Sequence, residues 1–249
     1  MSKCVTVYTQ AYNVENYIEQ CIKSVLSQTF QDFEWILVEN GSTDKTREII
    51  RKYAALDERI KPDYFDVNQD GFTNYYIAEK ADGRYIVKID SDDWIEPEYL
   101  EKLIAPFEDP DVDISICGAV NYEEETGRET PHEYGELDGV YSKSDIEKQF
   151  IEMRSYMGTY WGKMFRREIF CSILPDMKEI GEKLKKGDNF GGDVAFALCY
   201  LGECKKLAFV NERMYHYRIH NNSYATRTIG TNRVFSCLAL RETEHHFLH

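Results

Sequence analysis

The chain has 249 residues, which is enough for one large α/β domain with a substantial core. Hydrophobic residues make up 43% of it and charged residues 30%, a balance typical of folded proteins and unlike that of disordered segments. The net charge of -14 argues against nucleic acid as a partner, because binding to phosphates needs lysine and arginine.

The cysteines and the N-terminus bear on the compartment. The seven cysteines are scattered without a CxxC pair, and Cys117 and Cys199 lie in apolar runs where cysteine packs as a small hydrophobe. No secretory leader pattern opens the sequence, and no apolar run approaches the roughly 20 residues of a membrane-spanning helix. We therefore expect a reduced, cytoplasmic protein. Peripheral contact with the inner face of a membrane and the oligomeric state are left open.

The first 120 residues alternate between strand and helix patterns. Strands are predicted at residues 4–9, 34–38, 60–65, 84–89 and 112–117, and helices at residues 15–27, 41–53, 72–79 and from Pro97 onwards. Ser42 or Thr43 is the predicted N-cap of the second helix. Strands separated by helices of this length predict βαβ units and a mainly parallel sheet, in which ligands bind beyond the carboxyl ends of the strands.

The second half has weaker patterns. Residues 121–139 are acidic and contain glycine and proline, which predicts a loop or a hairpin. The tetrad Ser-Asp-Ile-Glu at residues 144–147 predicts a capping box that opens a helix towards Arg154. Further elements are a helix at residues 190–201, strands at 206–210 and 214–218, and helical spacing at 233–248.

The segment IDSDDW at residues 89–94 carries the strongest chemical signal. Asp90, Asp92 and Asp93 directly follow a predicted buried strand, where their mutual repulsion raises their pKa values unless a cation shares the site. Carboxylate oxygens are hard ligands that suit Mg²⁺ or Mn²⁺, and such an ion would let an acidic protein bind a diphosphate. The competing interpretation is a solvated acidic turn before the helix at Pro97. The position at a strand end favours a metal site.

Several segments together resemble a known family. VTVYTQAYN, SVLSQT, FEWILVENGSTDKT and IDSDDW, which begin at residues 5, 24, 33 and 89, are similar to the motifs of family 2 glycosyltransferases of the GT-A fold. WGKMFRR, GDVAF and YRIHNNS, which begin at residues 161, 192 and 217, resemble segments of the bacterial capsule, exopolysaccharide and O-antigen members.

The resemblance implies an α/β, Rossmann-like GT-A domain with a mainly parallel central sheet flanked by helices and a C-terminal helical acceptor-side region. Residues 1–120 would form the nucleotide-sugar-binding half. Residues 121–249 would form the acceptor-binding half and the C-terminal helix of the same domain.

The same resemblance implies site residues. Tyr12 would pack against the nucleotide base, Glu39 would accept a hydrogen bond from it, and Asp90 would hold the ribose. The metal would be held by Asp92 and His220, and Asp193 would be the general base. Further residues are expected at the donor site (Gln10, Asn13, Asn74 and Ser91) and on the acceptor side (Trp161 and Lys163).

Each role has a structural alternative. Tyr12 could be one core aromatic among the 18 tyrosines, and Asp193 could be the N-cap of a helix. His220 could be a structural or exposed residue, and Trp161 a buried aromatic. Lys163, like Arg166 and Arg167, could meet phosphate or form a solvated helix face.

The sequence also departs from the family pattern at the donor site. Gln10 stands where proline or threonine is usual, and Glu39-Asn40 replaces an Asp-Asp pair. Asn74 stands where a phosphate-side arginine is usual, and Gly192 replaces the glutamate of a GED motif. The metal carboxylates and the candidate base are retained, so we expect an active enzyme.

The predicted function is inverting, metal-dependent transfer of a sugar from a nucleotide diphosphate donor, a UDP-sugar by resemblance, to a saccharide or lipid-linked acceptor in surface polysaccharide synthesis. Mn²⁺ or Mg²⁺ is the expected cofactor. One alternative is a non-catalytic sugar-nucleotide-binding module, against which Asp92 and Asp193 count. Another is a nucleotidyltransferase, which the absence of a basic, glycine-rich loop near the first strand disfavours.

Overall fold

A computed structural model describes residues 4–69, 73–132, 137–149, 156, 158–183 and 192–220. The helix predicted at residues 233–248 lies outside these ranges, as do Asn221, Asn222 and Ser223 of the YRIHNNS segment. None of the helices within them is both long enough and apolar enough to cross a membrane.

The described part of the chain alternates between strands and helices through its first half and then becomes more irregular. Its strands are β1 (Val5–Ala11), β2 (Phe33–Asn40), β3 (Ile60–Phe65), β4 (Tyr85–Lys88), β5 (Trp94–Ile95), β6 (Val112–Glu123), β7 (Arg128–Pro131), β8 (Gly139–Ser142), β9 (Lys163–Arg166) and β10 (Lys206–Ile219). Its helices are α1 (Ile18–Leu26), α2 (Thr46–Ala54), α3 (Thr73–Lys80), α4 (Tyr99–Ile104), α5 (Lys143–Lys148), α6 (Arg167–Ser172), α7 (Leu174–Lys183) and α8 (Gly192–Glu203), and Ala105–Glu108 forms a 3₁₀ turn.

These strands form one mixed sheet in the order β3-β2-β1-β4-β9-β6-β10-β5, with β7 beside β6 and β8 beside β10. Strands β3, β2, β1 and β4 are parallel, and β6 is parallel to β10. Strand β9 runs antiparallel to both β4 and β6 and so joins the two parallel groups with their strands pointing the same way. The α/β, mainly parallel architecture expected from the sequence is confirmed.

Helices cover both faces of the sheet, because the central strands are apolar on both sides. Alternate residues of β2 illustrate this: Trp35 and Leu37 belong to one core cluster, and Ile36 and Val38 belong to the other. The first cluster includes the buried stripe of α1, namely Ile18, Cys21, Ile22 and Val25. The second contains aromatic residues of α6 and α8, Phe170, Phe196 and Tyr200.

Two predicted helix starts were wrong in detail. Helix α2 begins at Thr46 with Lys45 as N-cap, because Ser42 Oγ instead accepts a hydrogen bond from the backbone of Asn13 at 3.1 Å. The capping box of α5 is formed by Ser142 and Asp145 rather than from Ser144, since Ser142 has the extended backbone that an N-cap requires. Residues 150–155, towards Arg154, are outside the described ranges.

The second half also differs from expectation in its strands. Residues 121–139 contain the predicted hairpin, formed by the end of β6 and β7. The strands predicted at 206–210 and 214–218 are one strand, β10, whose register shifts between Val210 and Tyr215 as at a β-bulge. Lys163 and Arg166 lie on β9, so the solvated helix face suggested for them is wrong.

Gly83 permits the close approach of the turn before β4 to strand β1. A Cβ at this position would lie 2.4 Å from the backbone nitrogen of Thr6 and 2.7 Å from the carbonyl carbon of Val5. The Gly83 N–H also donates to Thr6 Oγ1 at 2.9 Å. The turn therefore fixes where β4 enters the sheet.

We predict that Gly83→Ala lowers the free energy of unfolding by about 1–3 kcal/mol, because backbone must move to admit the methyl group. Urea denaturation would show a lower midpoint with an unchanged slope. The control is Asp82→Ala at the neighbouring exposed side chain, expected within about 0.5 kcal/mol of wild type. Equal midpoints for Gly83→Ala and wild type would contradict the prediction.

Candidate functional site

Several of the predicted site residues lie at the edge of the sheet where the parallel strands end. Tyr12 follows β1, Glu39 is near the end of β2, Asp90 follows β4 and His220 follows β10. Trp161 reaches the same edge from β9, which runs the other way, and forms an isolated bridge with Lys88. One edge therefore collects residues that are more than 200 positions apart in the sequence.

The acidic loop, which we define as residues 90–93, is attached to β10. Asp93 is buried, and its carboxylate accepts hydrogen bonds from Tyr215 Oη at 2.7 Å and from the backbone N–H of Arg218 at 2.8 Å. Tyr215 Oη also accepts a hydrogen bond from the Asp90 backbone at 3.1 Å. Burial, and then the charges of Asp92 and Asp90, raise the pKa of Asp93 well above its usual range. These bonds fix the loop at both ends.

Asp92 and His220, the two predicted metal ligands, lie side by side. Asp92 Oδ2 is 3.0 Å from His220 Nε2, and the His220 ring packs on Tyr17 with ring centroids 4.6 Å apart. Burial and the nearby Asp90 raise the pKa of Asp92, while its hydrogen bond with His220 acts in the opposite direction.

This pair fits a Mg²⁺ or Mn²⁺ site that is completed by a ligand. The described residues contain no group of three or more candidate metal-binding side chains. Two protein ligands 3.0 Å apart can occupy neighbouring positions around an ion whose ligands lie about 2.1 Å away. Mg²⁺ is commonly bound by one or two carboxylates, with substrate phosphates and water in the remaining positions.

Asp90 pairs with Lys88, a residue that the sequence interpretation missed. Lys88 Nζ lies 3.1 Å from Asp90 Oδ1 and 5.3 Å from the ring centroid of Tyr160. Tyr160 Oη accepts a hydrogen bond from Asn74 Nδ2 at 2.5 Å. A lysine at the end of the buried segment YIVK of β4 was the available signal. Asn74 is thus linked through Tyr160 to the acidic loop, although the two lie on different elements.

Asp193 lies in the first turn of α8, inside the helix rather than at the N-cap before it, and its side chain is exposed. Desolvation by the surrounding protein raises the pKa of Asp193, and the charge of Asp90 acts in the same direction. Lys88 and Lys163 are close enough to lower it in part. The candidate base therefore shares its electrostatic environment with Asp90.

Tyr12 and Asn13 directly follow β1. Tyr12 is 43% exposed, so it is not a core aromatic. Asn13 adopts a positive φ of 51°, and its Oδ1 accepts a hydrogen bond from the Thr43 backbone at 2.8 Å. Among the other expected donor residues, Gln10 is partly exposed within β1 and Ser91 is buried in the acidic loop. An exposed aromatic ring thus stands beside a loop whose backbone is held in place.

Glu39 is fully buried, and both of its carboxylate oxygens accept hydrogen bonds from the protein. Oε1 accepts from the Ser42 backbone at 2.5 Å, and Oε2 from Arg47 Nε at 2.5 Å. Arg47 also donates to the carbonyl of Phe65 at the end of β3. Glu39 thus shapes the loop after β2 as well as lying near the expected base position.

Trp161 and Lys163 are both buried. The Trp161 ring stacks on Tyr215 at 4.7 Å and on Tyr217 at 5.5 Å between ring centroids. Lys163 Nζ donates to Thr159 Oγ1 at 2.9 Å and to the Trp161 carbonyl at 3.0 Å. Burial lowers the pKa of Lys163 to about 7. Trp161 thus packs on two residues of β10 just before β9 begins, and Lys163 is the first residue of β9.

We predict that Tyr215→Phe lowers the free energy of unfolding by about 1–3 kcal/mol, because it leaves the buried Asp93 carboxylate one donor short. Chemical denaturation would measure the change. Tyr141→Phe on β8 is the matched control, with an expected change within about 0.5 kcal/mol. If the two variants were equally stable, Tyr215 would not support the loop.

Comparisons with known proteins identify the family to which the chain belongs. The sequence profile of glycosyl transferase family 2 matches residues 6–174. The putative glycosyltransferase EpsH of Bacillus subtilis is 31% identical over 245 residues, which cover 98% of this chain and 69% of EpsH. Glycosyltransferase GlyA of Streptococcus pneumoniae is 29% identical over 88% of this chain, which spans 31% of the length of GlyA.

Solved structures share the fold. S. aureus TarS in complex with UDP-GlcNAc superposes with a TM-score of 0.71 at 18% identity, over 96% of this chain and 65% of the TarS chain. The mannosyltransferase PcManGT from Pyrobaculum calidifontis, in complex with GDP-Man and Mn²⁺, gives a TM-score of 0.61 at 15% identity, over 98% of this chain and 63% of PcManGT. The chain has the GT-A fold and belongs to glycosyl transferase family 2.

Proposed function

We propose that this chain is a cytoplasmic, inverting glycosyltransferase that moves a sugar from a nucleoside diphosphate sugar to a hydroxyl group of a saccharide or lipid-linked acceptor. The observation that carries the proposal is the arrangement at one sheet edge. The pair Asp92 and His220 lies 3.0 Å apart, and Asp193 shares the electrostatic environment of Asp90 and Lys88. The setting in surface polysaccharide synthesis is supported by the resemblance to capsule and exopolysaccharide enzymes.

The nucleotide would bind across the ends of β1, β2 and β4. Tyr12, exposed at the end of β1, offers a ring face on which a base can stack. Asp90 would accept hydrogen bonds from the ribose, and Glu39 would meet the base. Gln10, Asn13, Asn74 and Ser91 would complete the donor site. UDP is the favoured nucleotide because the related TarS structure holds UDP-GlcNAc.

Asp92 and His220 would hold Mn²⁺ or Mg²⁺ beside the diphosphate. When bound, the ion would act as a Lewis acid that stabilises the charge developing on the leaving phosphate. The protein itself holds the two side chains 3.0 Å apart, with Asp92 in the acidic loop and His220 directly after β10. PcManGT, which shares the fold, contains Mn²⁺ in its complex.

Asp193 would accept the proton of the acceptor hydroxyl as that oxygen attacks the anomeric carbon. The new bond joins the acceptor oxygen to this carbon, and the bond from the carbon to the phosphate oxygen breaks. Attack from the side opposite the leaving group inverts the configuration, and it needs no nucleophile from the enzyme. Trp161 and Lys163, both buried, would form part of the acceptor side of the site.

We predict that UDP at about 100 times its dissociation constant stabilises the fold by about 2.7 kcal/mol when Mn²⁺ is present, which corresponds to about 5 to 11 °C in Tm. Asp92→Ala should abolish the part of this shift that depends on Mn²⁺, because it removes a metal ligand. Thermal denaturation against a panel of nucleoside diphosphates, with Mn²⁺ or with EDTA, would measure both effects.

Asp82→Ala, at an exposed aspartate before β4, is the matched control and should keep the full shift. The absence of any Mn²⁺-dependent shift in the wild-type chain, with every nucleotide tested, would overturn the donor site proposed here. A shift with GDP instead of UDP would replace only the choice of base.

We predict that Asp193→Asn lowers kcat by about 10² to 10⁴-fold while nucleotide binding is retained, because an amide cannot accept the proton. The assay is release of nucleoside diphosphate from the donor in the presence of acceptor. Glu203→Gln, at the other end of α8, is the control with unchanged turnover. Release of pyrophosphate by the wild-type chain when it is given a nucleoside triphosphate and a sugar phosphate would instead indicate a nucleotidyltransferase. Equal turnover of Asp193→Asn and wild type would exclude Asp193 as the base.

The rate should also depend on pH in a defined direction. Only the ionised Asp193 can accept a proton, so kcat rises as pH passes upward through its pKa. Since that pKa is raised, the acid limb should lie above the ordinary aspartate value of about 3.9. Lys88→Met removes a charge that lowers this pKa and should move the limb further upward. A downward movement would contradict the assignment.

A further inference from the structure

Arg218 makes an unusually complete set of contacts with the acidic loop. Its backbone N–H donates to Asp93 Oδ1 at 2.8 Å, and its side-chain Nε donates to the backbone carbonyl of Asp92 at 2.8 Å. A single residue of β10 therefore holds two consecutive residues of the loop. Because one bond reaches the carbonyl of Asp92 itself, it restricts the backbone from which the Asp92 carboxylate projects.

The rest of the guanidinium is also held in place. Nη2 donates to Gln20 Oε1 on α1 at 2.5 Å, and Nη1 lies 3.7 Å from Glu124 Oε1. The side chain is only 7% exposed. The planar guanidinium group presents its donors in a fixed fork, so partners in several directions define one orientation.

Aromatic rings enclose this guanidinium. Its carbon lies 4.7 Å from the ring centroid of Trp94, 5.1 Å from that of Tyr17 and 5.4 Å from that of Tyr122. Tyr17 also packs on the ring of His220, and its hydroxyl donates to Glu124 at 3.0 Å. Tyr17 therefore contacts both Arg218 and His220, and His220 is the second residue of the candidate metal pair.

We propose that Arg218, with Tyr17 beside it, is the positioning residue that sets the separation between Asp92 and His220 for the metal-bound diphosphate. The inference rests on the proposed donor site and goes beyond it by assigning a role to a residue outside the proposed metal ligands and nucleotide contacts. Arg218 holds the Asp92 backbone from one side, and Tyr17 holds the His220 ring from the other. Residues that orient metal ligands typically change metal affinity about 10- to 100-fold when substituted.

The decisive variant is Arg218→Lys, which keeps the positive charge but loses the fork that reaches Asp92, Gln20 and Glu124 together. Mn²⁺ binding in the presence of UDP is measured by the electron paramagnetic resonance signal of free Mn²⁺, which needs no turnover. We expect apparent Mn²⁺ affinity to fall about 10- to 100-fold. UDP binding measured by calorimetry in EDTA should be unchanged, because the base end of the site lies on other strands.

A purely structural role for Arg218 would change stability without this selectivity. Arg213→Met, which removes an exposed arginine from the same strand, is the matched control and should bind Mn²⁺ as wild type does. Gln20→Ala on α1 removes one partner of the guanidinium and should give a smaller loss in the same direction. It decides the question if Arg218→Lys does not fold, because an unchanged Mn²⁺ affinity in Gln20→Ala would then overturn the inference.

The results separate this inference from the proposed function. A wild-type chain whose affinity for UDP, or for GDP if that is the nucleotide it binds, is the same in Mn²⁺ and in EDTA would overturn the donor site and this inference with it. A wild-type chain with a Mn²⁺-dependent gain, matched by the same gain in folded Arg218→Lys, would overturn the inference alone. If Arg218→Lys lost UDP affinity equally in Mn²⁺ and in EDTA, the inference would also be overturned, since the substitution would then have disturbed the site as a whole rather than the metal ligands.

Discussion

The buried carboxylate of Asp93 determines the geometry of the acidic loop. A carboxylate in that position is costly unless donors satisfy it, and both of its donors, Tyr215 Oη and the Arg218 N–H, come from β10. Asp90 and Asp92 precede this anchor by three residues and by one residue, so it restricts where both can lie. The loop that the first half of the chain supplies is therefore held by the second half. The nucleotide-sugar half and the acceptor half proposed from the sequence depend on each other structurally, which is consistent with the single continuous sheet.

Cations at the sheet edge resolve the apparent conflict between a net charge of -14 and the anionic donor proposed for this chain. Lys88 pairs with Asp90, and Arg218 runs beneath the loop, so two of the site's fixed charges are positive. Lys163 contributes less at neutral pH, because burial lowers its pKa to about 7. The carboxylates left over are Asp92, beside His220, and the exposed Asp193. A divalent cation bound by Asp92 would leave Asp193 as the carboxylate that can accept a proton. The local balance of charge, rather than the net charge, thus suits a diphosphate.

The sequence predicted the fold well where local signals agree and poorly where they do not. Strands β1, β2 and β4 were predicted within a few residues, because each is a short, largely apolar run between turn residues. Strand β3, which has a more polar sequence, was predicted with its observed bounds. Strand β10 was divided in two because its polar middle, Asn211 to Arg213, looks like a turn and instead forms a bulge. The acidic residues were found because they are adjacent. The residues that hold this acidic segment in place could not be found from the sequence. Asp93 and Arg218, for example, are 125 residues apart, and only the topology of the sheet brings them together.

The base end of the proposed donor site depends on a different constraint, the close approach of two loops at Gly41. This residue has φ of +76°, and a Cβ would lie 2.6 Å from the carbonyl carbon of Val67, so only glycine lets the loop after β2 pass beneath the loop after β3. That approach places Ser42 and Arg47 on the two oxygens of Glu39. A carboxylate offers about four lone-pair sites, so two remain. A nucleotide base that bonds to Glu39 must therefore share this carboxylate with Arg47, whose positive charge neutralises that of Glu39. Recognition of the base would then rest on shape and on neutral hydrogen bonds, in contrast to the charged metal end only a few strands away.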